Sequence, residues 1–227
     1  MKDLPKHLAI IPDGNRRWAK NKGLKSFQGI NRDGLYQHLT SLFEEIKNNG
    51  IRYFSLWAFS TENWKRPKEE IQVIFEVLLK NLIKFKDDAL VNEIKFLHIG
   101  RKDRIPKKIL RAIEELEEVT KKFGKFNVLL CIDYGGRDEI IRAVNKAIKE
   151  NKQVNEEEFE NYLDTKDIPD VDFIIRTSGE KRISGLMSFQ GAYAELYFSE
   201  KYFPDFNVDD LRDALEDFSQ RKRNYGR

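Results

Sequence analysis

Six short runs rich in Ile, Val, Leu and Phe punctuate the chain, at residues 8–11, 53–59, 94–99, 126–132, 173–175 and 192–198. Runs of this length and composition predict β-strands. Asn127-Val128-Leu129-Leu130-Cys131-Ile132 does not alternate apolar with polar positions, the pattern of a strand buried on both faces. Between the runs the apolar spacing changes. Leu35, Leu39, Leu42, Phe43 and Ile46 recur at helical intervals, as do Ile71, Ile74, Phe75, Leu78, Leu82 and Phe85. Further helices are predicted over residues 107–122, 138–150, 155–162 and 208–221. Strands alternating with helices imply right-handed crossovers, and hence an α/β fold: a central, mainly parallel six-stranded sheet flanked by helices, in one domain over residues 1–227.

Open parallel sheets bind ligands beyond the carboxyl ends of their strands, so the residues just after each run are the candidates for chemistry. After the first run comes Pro12-Asp13-Gly14-Asn15-Arg16-Arg17-Trp18. Gly14 would let the backbone approach an anion, and the arginine forks match phosphate oxygens. Asp13 offers the single carboxylate that a magnesium ion commonly shares with substrate phosphates. The same residues also fit an Asp-Gly turn with exposed arginines. After the second run, Ser60-Thr61-Glu62-Asn63-Trp64-Lys65-Arg66-Pro67 is equally dense in polar groups, and Ser60 and Thr61 double as helix-capping residues. The fifth run ends in Arg176-Thr177-Ser178-Gly179-Glu180-Lys181-Arg182-Ile183-Ser184, whose hydroxyls, glycine and bracketing arginines suit a diphosphate cradle. Asp133-Tyr134-Gly135-Gly136-Arg137 closes the fourth run, and its glycines fit a tight strand-to-helix turn.

Charge and composition narrow the function classes. The 227 residues carry 41 basic and 38 acidic side chains, a net charge of +3, too even a balance to argue for nucleic acid. No apolar run approaches the roughly 18 residues of a membrane span, and Met1-Lys2-Asp3-Leu4-Pro5 has no signal-peptide core. A cytoplasmic setting is expected, and the lone Cys131 in a buried run agrees with it. The chain lacks a G-x-x-x-x-G-K-[ST] loop and a complete G-x-G-x-x-G fingerprint. His7, His38 and His98 have no paired metal-ligand spacing; His7 and His98, in or beside strands, read as structural.

Taken together, the motifs resemble the cis-prenyltransferases, the family of undecaprenyl and related polyprenyl diphosphate synthases. The resemblance rests on His7-Leu8-Ala9-Ile10-Ile11-Pro12-Asp13-Gly14-Asn15-Arg16-Arg17-Trp18, residues 59–67, 134–140 and 176–184, and Ala192-Tyr193-Ala194-Glu195-Leu196-Tyr197-Phe198. It implies an apolar tunnel, a homodimer, and Mg²⁺-dependent condensation of isopentenyl diphosphate with an allylic prenyl diphosphate, giving a Z-polyprenyl diphosphate that serves as a glycan-carrier lipid precursor. It also implies peripheral membrane contact for product release. Carried over by residue, Asp13 would be catalytic and bind Mg²⁺ with Glu195, while Asn63 and Ser60 would assist at the reacting double bond. Gly14, Asn15, Arg16, Arg17 and Trp18 would hold the allylic diphosphate, with Asn31 nearby. Arg176, Arg182 and Ser184 would hold isopentenyl diphosphate, and Phe59, Glu62, Trp64 and Arg66 would border the substrates.

The sequence departs from the family pattern in three places. A Gly-His-x-x-Gly element is replaced by Gly29-Ile30-Asn31-Arg32-Asp33-Gly34, where Asn31 could donate a hydrogen bond and Arg32 could supply charge. The C-terminal Arg-x-Gly reads Asn224-Tyr225-Gly226, with Arg223 and Arg227 as the nearby cations. Phe189 and Gly185 stand where Trp and Asn are common. Alternatives consistent with these changes are a relative making irregular, non-head-to-tail products and a non-catalytic partner subunit. A generic nucleotide-binding domain would leave the spaced motifs unexplained.

Overall fold

The computed structural model describes residues 3–223. Its strands are β1 (His7–Ile11), β2 (Tyr53–Ser60), β3 (Ile94–Ile99), β4 (Phe126–Tyr134), β5 (Phe173–Arg176) and β6 (Glu195–Phe198). They form one sheet in the order β3-β4-β2-β1-β5-β6, and every pairing is parallel. The helices are α1 (Asn15–Asn21), α2 (Leu35–Asn48), α3 (Lys68–Val91), α4 (Lys107–Thr120), α5 (Gly136–Lys149), α6 (Glu156–Glu160) and α7 (Val208–Gln220).

Successive β1 side chains point to opposite faces. Leu8 and Ile10 join a large core with residues of α2, α3, α4 and α7, whereas Ala9 and Ile11 join a smaller one with Val171, Leu186 and Met187. The unbroken burial of β1 and β5 therefore reflects cover on both faces. His7 is fully buried in β1 and is satisfied structurally, by Ser55 Oγ at 2.8 Å and the Pro169 carbonyl at 2.8 Å. His98 likewise bonds the Ile132 carbonyl, and Cys131 is buried.

Two expected elements are shorter than their apolar patterns. The run 192–198 is a strand only from Glu195, because Ala192 and Ala194 direct their N–H groups back to Phe189 and Gly191 in local turns. Helix α6 ends at Glu160, one turn after its Asn155 cap. Conversely, α3 extends well past residues 71–85, starting directly after Pro67; its 24 residues make a rod about 36 Å long.

The sheet order places the site. From β1 the chain crosses to β2 on one side, and it later returns to β5 on the other side of β1. The carboxyl ends of β1 and β5 thus form a topological switch point, where adjacent loops leave in opposite directions and open a crevice. Ile11 and Arg176 are paired in register, so the segments following them face one another across that crevice.

Candidate active site

A cavity of about 910 Å³ opens at the switch point and runs beneath α2 and α3 along the sheet. Its walls are Leu35, Tyr36, Leu39 and Phe43 of α2, and Ile74, Val77, Leu78, Asn81, Leu82 and Phe85 of α3; its floor includes Leu56, Phe96, Val128 and Leu130. The α3 positions recur at three and four residues, so one stripe of a single helix forms the long wall. Leu42, on the same sequence stripe as Leu39, is packed in the core instead of lining the cavity. At Trp57 to Ser60 the β2–β4 register slips, and Trp57, Ala58 and Ser60 all border the cavity there, although the Trp57 ring packs with the smaller core. Such bulges re-aim side chains beside active sites.

The rim is basic. Arg16, Arg17, Lys20, Arg32, Arg66 and Arg176 border the opening against the carboxylates of Asp13 and Glu62. Asp13 lies at the centre. Its Oδ1 accepts from Gly14 N–H at 2.6 Å and its Oδ2 accepts from Arg176 at 2.8 Å, while Arg17 lies 3.8 Å away. Burial pushes the Asp13 pKa up, but the hydrogen bonds from Arg176 and Gly14 and the charges of Arg176 and Arg17 outweigh it and hold it below the usual value. Gly14 has φ +96°, and a Cβ there would lie 2.6 Å from the Tyr202 ring and 2.8 Å from Ser178. Only glycine allows this turn to pack against both.

Arg176 is buried, at 5% exposure, and is fixed by three acceptors: Asp13, the Ser184 hydroxyl at 2.7 Å and the Arg182 carbonyl at 2.5 Å. Arg17 reaches across the crevice to Ser178 Oγ at 2.6 Å and Glu180 at 3.0 Å, tying the first motif to the third. Arg66 pairs with buried Glu70 at 2.9 Å. Asn63 Oδ1 accepts the Ser60 N–H at 3.2 Å, which orients the amide and leaves its Nδ2 to meet a ligand. Ser60 therefore caps a turn and borders the cavity at once.

Several expected site residues lie elsewhere. Trp18 donates to Asp205 at 2.8 Å, outside the cavity lining. Asn31 is exposed and its neighbours Ile30 and Arg32 line the cavity instead, because the turn before α2 points Asn31 outward. Phe59 is in the core, and Trp64 meets it edge to face while donating to buried Asp133 at 2.8 Å; both back the wall without lining it. The Arg182 side chain is exposed and paired with Glu180 at 2.5 Å; only its carbonyl touches the site, through Arg176. Glu195 begins β6 opposite Phe173, at the amino end of the sheet, and is bound by Arg221 at 2.7 Å. Within one chain it does not join Asp13. The altered tail at residues 224–227 lies outside the described residues.

The fit to a metal rests on Asp13 alone. Among the described residues, no cluster of three His, Cys, Asp or Glu side chains could cage an ion. One carboxylate on a basic rim nevertheless suits magnesium, which keeps waters and takes its other ligands from substrate phosphates.

A basic rim over a deep apolar cavity, at the switch point of a parallel sheet, defines an α/β protein whose site suits an amphiphilic ligand with an anionic head and a hydrocarbon tail. The comparisons give that class its family. The undecaprenyl diphosphate synthase family model of prenyltransferases matches residues 11–226. An isoprenyl transferase of Aquifex pyrophilus is 45% identical over 225 residues, covering 99% of this chain and 96% of the relative. One of Fusobacterium nucleatum is 42% identical, covering 99% and 97%. A crystal structure of lavandulyl diphosphate synthase from Lavandula x intermedia, in complex with dimethylallyl diphosphate, superposes with a TM-score of 0.92 at 30% identity, covering 99% of each chain. That of a probable undecaprenyl diphosphate synthase from Campylobacter jejuni gives 0.84 at 36% identity, covering 100% of each. The chain belongs to the undecaprenyl diphosphate synthase family and is a cis-prenyltransferase.

Proposed function

We propose that the protein elongates an allylic prenyl diphosphate with isopentenyl diphosphate in the regular head-to-tail manner, yielding a Z-polyprenyl diphosphate long enough to occupy the cavity under α2 and α3. The observation that carries this reading is the depth of that cavity, which continues from the Asp13 rim to Phe96 and Val128. A five-carbon tail would leave most of it empty. Each methylene withdrawn from water contributes roughly 0.8 kcal/mol, so every added unit favours retention of the growing chain.

The residues divide the chemistry between them. Arg176 and Ser184 hold isopentenyl diphosphate, while Arg16, Arg17 and the Gly14 backbone hold the allylic diphosphate. Asn63, oriented through Ser60, lies at the junction and donates a hydrogen bond to substrate oxygen. As the allylic C–O bond breaks, the rim guanidinium groups meet the negative charge developing on the leaving diphosphate. The double bond of isopentenyl diphosphate attacks the allylic carbon, and loss of a proton leaves a chain five carbons longer. The apolar walls keep water from the cation-like carbon. Mg²⁺, held by Asp13 and substrate phosphates, would add further charge neutralisation at the leaving group.

The same reading includes a cytoplasmic enzyme that makes a carrier-lipid precursor for glycan assembly and meets the membrane only peripherally; no described helix is long and apolar enough to cross a bilayer. The proposed homodimer is supported by Ile141, Val144 and Ile148, exposed on one stripe of α5.

A second reading, irregular coupling of two allylic units, is motivated by the altered element at residues 29–34. Supplying dimethylallyl diphosphate alone and then with labelled isopentenyl diphosphate separates the two. Products only in the second case, lengthening in five-carbon steps, support elongation. A branched product from dimethylallyl diphosphate alone would overturn it.

A further inference from the structure

Arg32 differs from the other rim arginines. Arg16 and Arg66 face Glu70, Arg17 faces Glu180 and Asp13, and Arg176 faces Asp13, each within 4.0 Å of a carboxylate. Arg32 forms no ion pair among the described residues, although it is half-buried and lines the cavity. Its guanidinium is held by neutral acceptors only: Nη1 donates to the Gly29 carbonyl at 2.9 Å and to Asn15 Oδ1 at 3.3 Å, and Nη2 donates to His38 Nδ1 at 2.6 Å. The Phe203 ring lies 5.7 Å from its carbon centre.

The geometry also fixes His38. Its Nε2 lies 2.6 Å from the Phe206 carbonyl, which can only accept, so the proton is on Nε2 and the Nδ1 lone pair faces Arg32. The cradle is tight: a Cβ on Gly29 would lie 2.0 Å from the Asn15 carbonyl, so the turn carrying Gly29 must pack directly on α1. Asp205 acts on Arg32 only from beyond ion-pair distance, and an oriented, partly desolvated cation with no carboxylate in contact is costly unless a ligand brings the anion. Arg32 stands one turn before Leu35, Tyr36 and Leu39, where the apolar wall begins.

Building on the elongation reading, we propose that Arg32 contacts the diphosphate of the substrate whose tail fills the cavity, the allylic one, and that His38 is the positioning residue that aims it. Isopentenyl diphosphate, with a short tail, needs no contact at this wall. The role belongs to neither Asn31 nor any imidazole reaching the phosphate directly: the histidine acts through the arginine.

The test compares wild type with Arg32→Ala, Arg32→Lys, His38→Phe and His38→Gln. It measures KM and kcat for each substrate, and the Kd of inorganic pyrophosphate by calorimetry. Arg32→Ala should raise KM for the allylic primer by about 10- to 100-fold, the range of a lost charge-assisted hydrogen bond, with KM for isopentenyl diphosphate changed less than about threefold. Arg32→Lys should fall between, since it keeps the charge and loses the fork. His38→Phe should shift the same KM in the same direction, and His38→Gln, which restores an acceptor, should recover part of it. Pyrophosphate should bind more weakly to each variant in the same order. An unchanged allylic KM and pyrophosphate Kd in folded Arg32→Ala or Arg32→Lys would overturn the proposal, as would an equal rise for both substrates. If wild type transferred no prenyl group at all, the elongation reading would fall, and the pyrophosphate titrations would still decide whether Arg32 forms an anion site.

Discussion

Asp13 is the residue on which charges from three directions converge: a backbone N–H, a buried arginine and a second arginine across one helical turn. Replacing it with Asn keeps the shape and removes the charge. Asp13→Asn should fold normally and lose at least about 100-fold in the rate of label incorporation, the scale of one preorganised electrostatic contact; a rate within a few-fold of wild type would contradict its assigned role. His7 makes a separate prediction, about stability. Burial lowers its pKa to about 4 despite the Pro169 carbonyl and the charge of Asp172. The unfolded chain takes up a proton near pH 6.5, whereas the folded chain resists until about pH 4. Stability contributed by neutral His7 is therefore complete above pH 6.5 and is lost as pH falls towards 4, by up to about 3 kcal/mol. Urea midpoints measured between pH 7 and 5 should fall with acid in wild type and fall less in His7→Asn; parallel slopes would contradict this. At the same scale, side-chain direction was the information hardest to extract from sequence. Asp13, Asn63, Arg176 and Ser184 line the cavity as their motifs suggested, whereas Trp18, Trp64 and Arg182, from the same motifs, turn elsewhere. Arg32 gains its importance from Asn15, Gly29 and His38, contacts that no local spacing encodes.

At the scale of elements, periodicity located the strands and helices because burial on one or two faces leaves a direct imprint on apolar spacing. It could not separate helix faces that pack from those that enclose space: Leu39 and Leu42 belong to one stripe, yet only Leu39 borders the cavity. Element ends also depended on hydrogen bonds, as in the turns that delay β6 and the Asn155 cap of α6. Helix α3 is the element whose length matters most, since residues 74–85 span the cavity wall. A larger side chain midway along it should act as an early stop. Leu78→Trp projects into existing space, so it should cost little more than about 1 kcal/mol of stability while shifting the product distribution to shorter chains. Products of wild-type length from a folded Leu78→Trp protein would show that the tail does not run along α3.

At the scale of the whole molecule, the sheet order decides where chemistry is possible. Motifs 163 residues apart, at Asp13 and Arg176, meet because β1 and β5 flank the switch point. The alternation of strands and helices implied this α/β arrangement, while the side of the sheet to which each crossover returned required the structure. Glu195 shows the limit: it lies in a motif as distinctive as the others, but its register with Phe173 sets it at the opposite end of the sheet, bound to Arg221.

The central claim is that a basic rim with one carboxylate, set over a deep apolar cavity, builds long prenyl chains. The most direct test is to incubate the purified protein with labelled isopentenyl diphosphate, Mg²⁺ and geranyl, farnesyl or geranylgeranyl diphosphate, with a chelator control, and to size the dephosphorylated products. A ladder of Z-polyprenols extending several five-carbon units beyond the primer, abolished by the chelator, is the predicted result. Incorporation that stops after one unit with every primer, or that is indifferent to the chelator, would contradict the account.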